Sequence, residues 1–150
     1  MSETTNKPPI WFWILTVILL LWGMIGMYVY YGFVTSTPES MSKYVTTGTY
    51  SQAYANYLLA EPAWSTAVFA LAVCTGILGA LCLILRRAWA VPLYTLSLLF
   101  IIISLSKMFL LDKVHNLMSS GQVGMEGIVF CLGILAVWIS RKAKKENWLK

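Results

Sequence analysis

The chain has 150 residues, of which 59% are hydrophobic and only 11% charged, with a formal net charge of +5. Soluble domains run at about 45–50% apolar and about 25% charged, so water is excluded as the solvent for this surface and the bilayer is expected instead. The excess of Lys and Arg does not point to nucleic acid, because the basic residues sit at the ends of apolar runs rather than in one stripe, which is where they orient a membrane protein.

The first apolar run covers 10–33 and holds no charged residue. At about 1.5 Å per residue it crosses a hydrocarbon core of about 30 Å. It outlasts the 7–15 residues of a signal-peptide core, and no Ala-x-Ala site follows. Trp11, Phe12 and Trp13 open it and Tyr28, Tyr30 and Tyr31 close it, the pattern of interfacial aromatic belts.

Residues 34–62 form one long outer loop. Thr37-Pro38-Glu39 reads as a helix start, with an N-cap, a first-turn proline and an acid in the first turn. Gly48 ends that helix, and a second start at Thr49 places Tyr50, Tyr54 and Tyr57 on one face. Such a face suits a lid resting on the interface, with ligand or partner contact as the alternative use.

The second run, 63–85, follows Glu61-Pro62 and stops at Arg86-Arg87. Ala72, Gly76 and Ala80 recur at spacing four, and Gly79 lies beside them. Gly23 and Gly26 in the first run belong to the same class. Small residues at this spacing let helices approach closely, where packing replaces the hydrophobic effect. Contact within the bundle is the expected use, and a homodimer through the same stripe is the alternative.

The third run, 88–111, is interrupted only by Lys107, and the fourth, 123–140, contains Glu126. Ionisable groups inside a span are costly and need a partner. Lys107 lies about 28 Å from Ala88 along a helix, and Gly127 to Ser140 gives about 21 Å of uncharged helix beyond Glu126. The two heights nearly coincide, which predicts a Lys107–Glu126 ion pair. The competing expectation is a snorkelling lysine and a helix-capping glutamate.

Arg86, Arg87, Arg141, Lys142, Lys144 and Lys145 all fall at one side of this four-span arrangement. By the positive-inside rule both termini are expected in the cytoplasm of a bacterial inner membrane. The predicted fold is therefore all-α: one membrane domain, 1–150, built as an up-down-up-down four-helix bundle with a partly helical outer loop.

No catalytic, metal or cofactor site is expected. Cys74, Cys82 and Cys131 lie inside apolar runs without Cys-x-x-Cys spacing and read as core filling. His115 is the only histidine, which excludes a His-rich metal site. There is no glycine-rich phosphate loop and no Gly-x-Ser-x-Gly elbow.

Leu20-Leu21-Trp22-Gly23-Met24-Ile25-Gly26, Pro62-Ala63-Trp64-Ser65-Thr66, Gly76-Ile77-Leu78-Gly79-Ala80, Arg86-Arg87-Ala88-Trp89-Ala90 and Asn147-Trp148-Leu149 together are more specific than any one of them. As a set they resemble a family of small, uncharacterised bacterial four-span proteins often given the automatic label "sugar transporter". The resemblance covers most of the chain, loosest in the outer loop, and implies the same topology. It transfers no catalytic residue. The expected role is a non-enzymatic accessory or interaction component, partnered by the bilayer and by itself or another membrane protein. A small-solute transporter, or a half-transporter that dimerises, is the alternative.

Overall fold

In the computed structural model, which describes residues 7–150, helix α1 spans Ile10–Val34, α2 Pro38–Thr46, α3 Gln52–Leu59, α4 Ala63–Ile84, α5 Ala90–Ser106 and α6 Ser120–Lys145. Helix α5 continues without a break into a wider turn over Lys107–Leu111, followed by a short 3-10 turn at Val114–Asn116. Among the described residues four stretches are long and apolar enough to cross a membrane: Ile10–Val34, Ala63–Ile84, Ala90–Leu111 and Ser120–Lys145. The chain is an all-α, multi-pass membrane protein.

Helix α4 packs against both α1 and α5, and α5 also packs against α6, while α1 and α6 touch only slightly. The small residues make these approaches. A Cβ added to Gly23 would meet Ile77 Cγ1 at 2.8 Å, and one added to Gly79 would meet the Tyr94 ring at 3.0 Å. Gly26 faces Val73, and Gly76 faces Ser97 Oγ. Ser97 in turn donates across the α4–α5 seam to the Ala72 carbonyl at 2.8 Å. Such interhelical bonds average only about 0.6 kcal/mol in membrane bundles, so close packing holds the seam more than the bond does. Ala72 and Ala80 are buried, so the Ala72-Gly76-Ala80 stripe is occupied inside the chain and is not the free face that a homodimer through it requires.

The fourth helix runs further at both ends than 123–140. Ser119 caps it by accepting from the Gln122 N–H, and the Gln122 side chain reaches back to the Ser119 N–H. At the other end Lys142, Lys144 and Lys145 occupy the last turn, where cations suit the helix dipole. The third helix begins at Ala90, two residues later than the apolar run: Arg86, at φ 55°, ends α4 in a left-handed turn, and the Ala88 N–H that follows is taken by the Lys150 carbonyl. Cys74 and Cys131 lie on exposed helix faces rather than in the core, and Cys82 is half-buried.

The C-terminal tail fastens the basic end. Lys150 N–H donates to the Arg86 carbonyl at 2.6 Å, and Ala88 N–H donates to the Lys150 carbonyl at 2.8 Å. Arg86 Nε–H donates to the Trp148 carbonyl. The Trp148 ring meets Trp11 and Phe12 edge-on. The start of α1 and the end of the chain therefore lie at the same end of the bundle as the Arg86-Arg87 turn.

Candidate functional site

At the opposite end, α2 and α3 form a cap. Thr37 and Ser40 make a reciprocal capping box at the start of α2. Gly48, at φ 73°, turns the chain where an L side chain would be strained. The second helix starts at Ser51, not Thr49: Ser51 Oγ accepts from the Tyr54 N–H and donates to the Leu117 carbonyl at 2.9 Å, tying the cap to the α5–α6 connection. Tyr50 thus precedes α3 rather than belonging to it. It still joins a continuous run of ring contacts, Tyr44–Tyr50, Tyr50–Tyr54 and Tyr54–Tyr57. Tyr54 is buried and Tyr50 and Tyr57 are half-buried.

Lys107 is the hub beneath this cap. Its side chain is 9% exposed, and its Nζ donates to Glu61 Oε1 at 2.8 Å, Asp112 Oδ2 at 2.7 Å and Tyr57 OH at 3.0 Å. Three donors meet three acceptors, which uses all the hydrogen-bonding capacity of an ammonium. Tyr57 OH donates on to Asp112 Oδ2 at 2.7 Å, and Ser65 donates to Glu61 Oε1. Lys107 Nζ also lies 5.1 Å from the Tyr57 ring centre and 5.8 Å from that of Trp64, within cation–π range.

The expected Lys107–Glu126 pair does not form. Lys107 is taken by Glu61 and Asp112 instead. The physical reason is the wide turn. Asp112 N–H bonds to the Lys107 carbonyl, an i to i+5 closure. An α-helix of 3.6 residues per turn points residue i+5 away from residue i, whereas this wider turn brings Asp112 back over Lys107. Such turns recur at functional sites. Glu61 arrives from the other side, carried by the α3–α4 joint. Glu126 is half-buried and faces Tyr54: burial first, and then the Glu126 charge, push the Tyr54 phenol well above its ordinary value. The Lys107 and Tyr57 hydrogen bonds hold the Asp112 carboxyl below the ordinary carboxylate value. Tyr57 is pushed up by burial, against the opposing pull of Lys107. His115 sits in the 3-10 turn, its ring stacked on Phe109.

Glu61 also faces outward to a cavity of about 390 Å³, shared with Tyr30, Phe33, Leu58, Leu59 and Thr66. Phe69 meets both Tyr30 and Phe33 edge-on. The chemistry available here is positional: an ammonium locked by two carboxylates and a phenol, beside a small aromatic-lined recess. No family model, curated protein or solved structure matches the chain.

Proposed function

We propose that this protein is a non-enzymatic accessory or interaction component of a bacterial inner membrane, with both termini in the cytoplasm and the α2–α3 cap presented outward. The observation that supports this is where the interior polarity goes. Thr16 donates to the Phe12 carbonyl, Thr75 to Leu71, Ser97 to Ala72 and Ser140 to Val137. These buried hydroxyls are spent on backbone carbonyls, and transporters instead place binding groups near the midplane, often at broken helices. The Tyr94 hydroxyl is the exception, buried without a partner. The buried charge, Lys107 with Glu61, is gathered at the cap instead, where a fixed ion pair suits an outer recognition surface.

A second reading, a small-solute and specifically sugar-type transporter, rests on the recess beside Glu61 and on the family resemblance of the Pro62-Ala63-Trp64 and Gly76-x-x-Gly79 segments. Two measurements separate the readings. A photoreactive residue at exposed Tyr44 should crosslink in cells to one defined membrane partner, and the adduct should fall when Lys107→Met loosens the cap. Saturable sugar uptake by proteoliposomes containing the pure protein would replace the accessory reading with the transporter one.

A further inference from the structure

The basic end carries a groove that the proposed function does not use. It has a volume of about 560 Å³ and runs between α5 and α6, with Leu98, Ile134 and Trp138 at its apolar end and Arg141, Lys142 and Lys145 at the other. On α6 these residues follow the helical repeat i, i+4, i+7, i+8, i+11, so one face changes from apolar to cationic along its length. From Ile134 to Lys145 is about 16 Å of helix. The apolar part therefore lies at acyl-chain depth and the cations at headgroup height.

We propose that this groove holds one anionic phospholipid, its phosphate on Arg141 and Lys145 and an acyl chain along Leu98, Ile134 and Trp138. Charge decides the occupant. The groove has three cations against one acid, Glu146. Among the described residues Arg141 and Lys145 make no ion pair. Lys142 is held in place, its Nζ 5.0 Å from the ring centres of both Trp11 and Trp138, so it forms a fixed positive wall beside the groove. Basic pockets between spanning helices on this side of a membrane suit anionic headgroups, and the planar guanidinium of Arg141 can clasp two phosphate oxygens at once. A free phosphate would use only the cationic half and leave the apolar half without a role.

The test uses the full-length protein in a neutral detergent, with phosphatidylglycerol, phosphatidylcholine of the same chains, or inorganic phosphate added. Phosphatidylglycerol should raise the melting temperature and remain as a single adduct in native mass spectrometry. Phosphatidylcholine and phosphate should do neither. Arg141→Gln and Lys145→Gln should each weaken the phosphatidylglycerol effect by about fivefold, the factor for one cation near an anionic headgroup. Lys144→Gln removes the same charge outside the groove and should leave the effect intact. Equal binding of phosphatidylcholine would reduce the groove to ordinary lipid contact and overturn the proposal. So would an equal effect of phosphate, or an equal loss in Lys144→Gln.

Discussion

Lys107 shows how a single charge organises the cap. Its 9% exposed side chain pairs with a Glu61 side chain that is 10% exposed, and removing one partner of a buried pair typically costs about 3–5 kcal/mol, while replacing both with apolar groups is often near neutral. Lys107→Met or Glu61→Gln alone should therefore lower the melting temperature in detergent, and the double variant should recover much of the loss. Glu126→Gln should not couple to Lys107→Met at all. Additive losses for Lys107 and Glu61 would remove the hub. The second expectation is a pH response. Because the Asp112 carboxyl lies below its ordinary value, the contribution of its ion pair is complete above about pH 5 and is lost as pH falls through about 4 and below. Hydrogen exchange in α3 should accelerate across that acid window once corrected for intrinsic rates, and α3 protection that stays constant down to about pH 3 would show that Asp112 does not hold the cap. Sequence made Lys107 visible as a charge that needs a partner. It did not reveal which one, because matching heights along two regular helices takes no account of the wide turn at 107–111 or of a loop that folds Glu61 inward.

Among the elements, the glycines fall into two physical groups with opposite expected responses to alanine. Gly79 has the Tyr94 ring 3.0 Å from where a Cβ would sit, so Gly79→Ala must separate α4 from α5 and should destabilise by about 1–3 kcal/mol, the usual range for overpacking. Gly124 and Gly127 on α6 have nothing within 4 Å. Alanine there adds helix propensity and should stabilise by up to about 1 kcal/mol. Thermal denaturation of the three variants checks both signs. A strong loss for Gly124→Ala or Gly127→Ala would mean that another helix packs there in the membrane. The close-packing stripe, the four spans and the α2 start at Thr37 were all legible, because hydropathy, small-residue spacing and capping chemistry are local signals. The start of α3 at Ser51 and the lipid-facing positions of Cys74 and Cys131 were not. Side-chain rotation about a uniformly apolar helix leaves no trace in composition, and it is fixed only once the neighbouring helices are in place.

For the whole molecule, the two ends differ in how they are built, and that difference predicts a topology. The end that holds Arg86, Lys142 and Lys150 is closed by the C-terminal tail on the Arg86 carbonyl. The end that holds Lys107 is closed by Glu61 and Asp112 and carries only Lys43 and Lys113 besides, while the opposite end holds Arg86, Arg87, Arg141, Lys142, Lys144, Lys145 and Lys150. Orientation depends on Lys and Arg counted close to the spans, and the balance falls on the tail side. The tail side should therefore face the cytoplasm. With Cys74, Cys82 and Cys131 replaced by Ala, Thr49→Cys on the cap should react with a membrane-impermeant maleimide on intact cells. Lys150→Cys should react only after the membrane is opened. Both positions are exposed, so failure to react would report sidedness rather than burial. Labelling of Lys150→Cys from outside together with protection of Thr49→Cys would invert the protein, turn the cap toward the cytoplasm and place the α5–α6 groove in the outer leaflet. Labelling of both from one side would break the four-span arrangement itself, since an odd number of crossings separates these two residues.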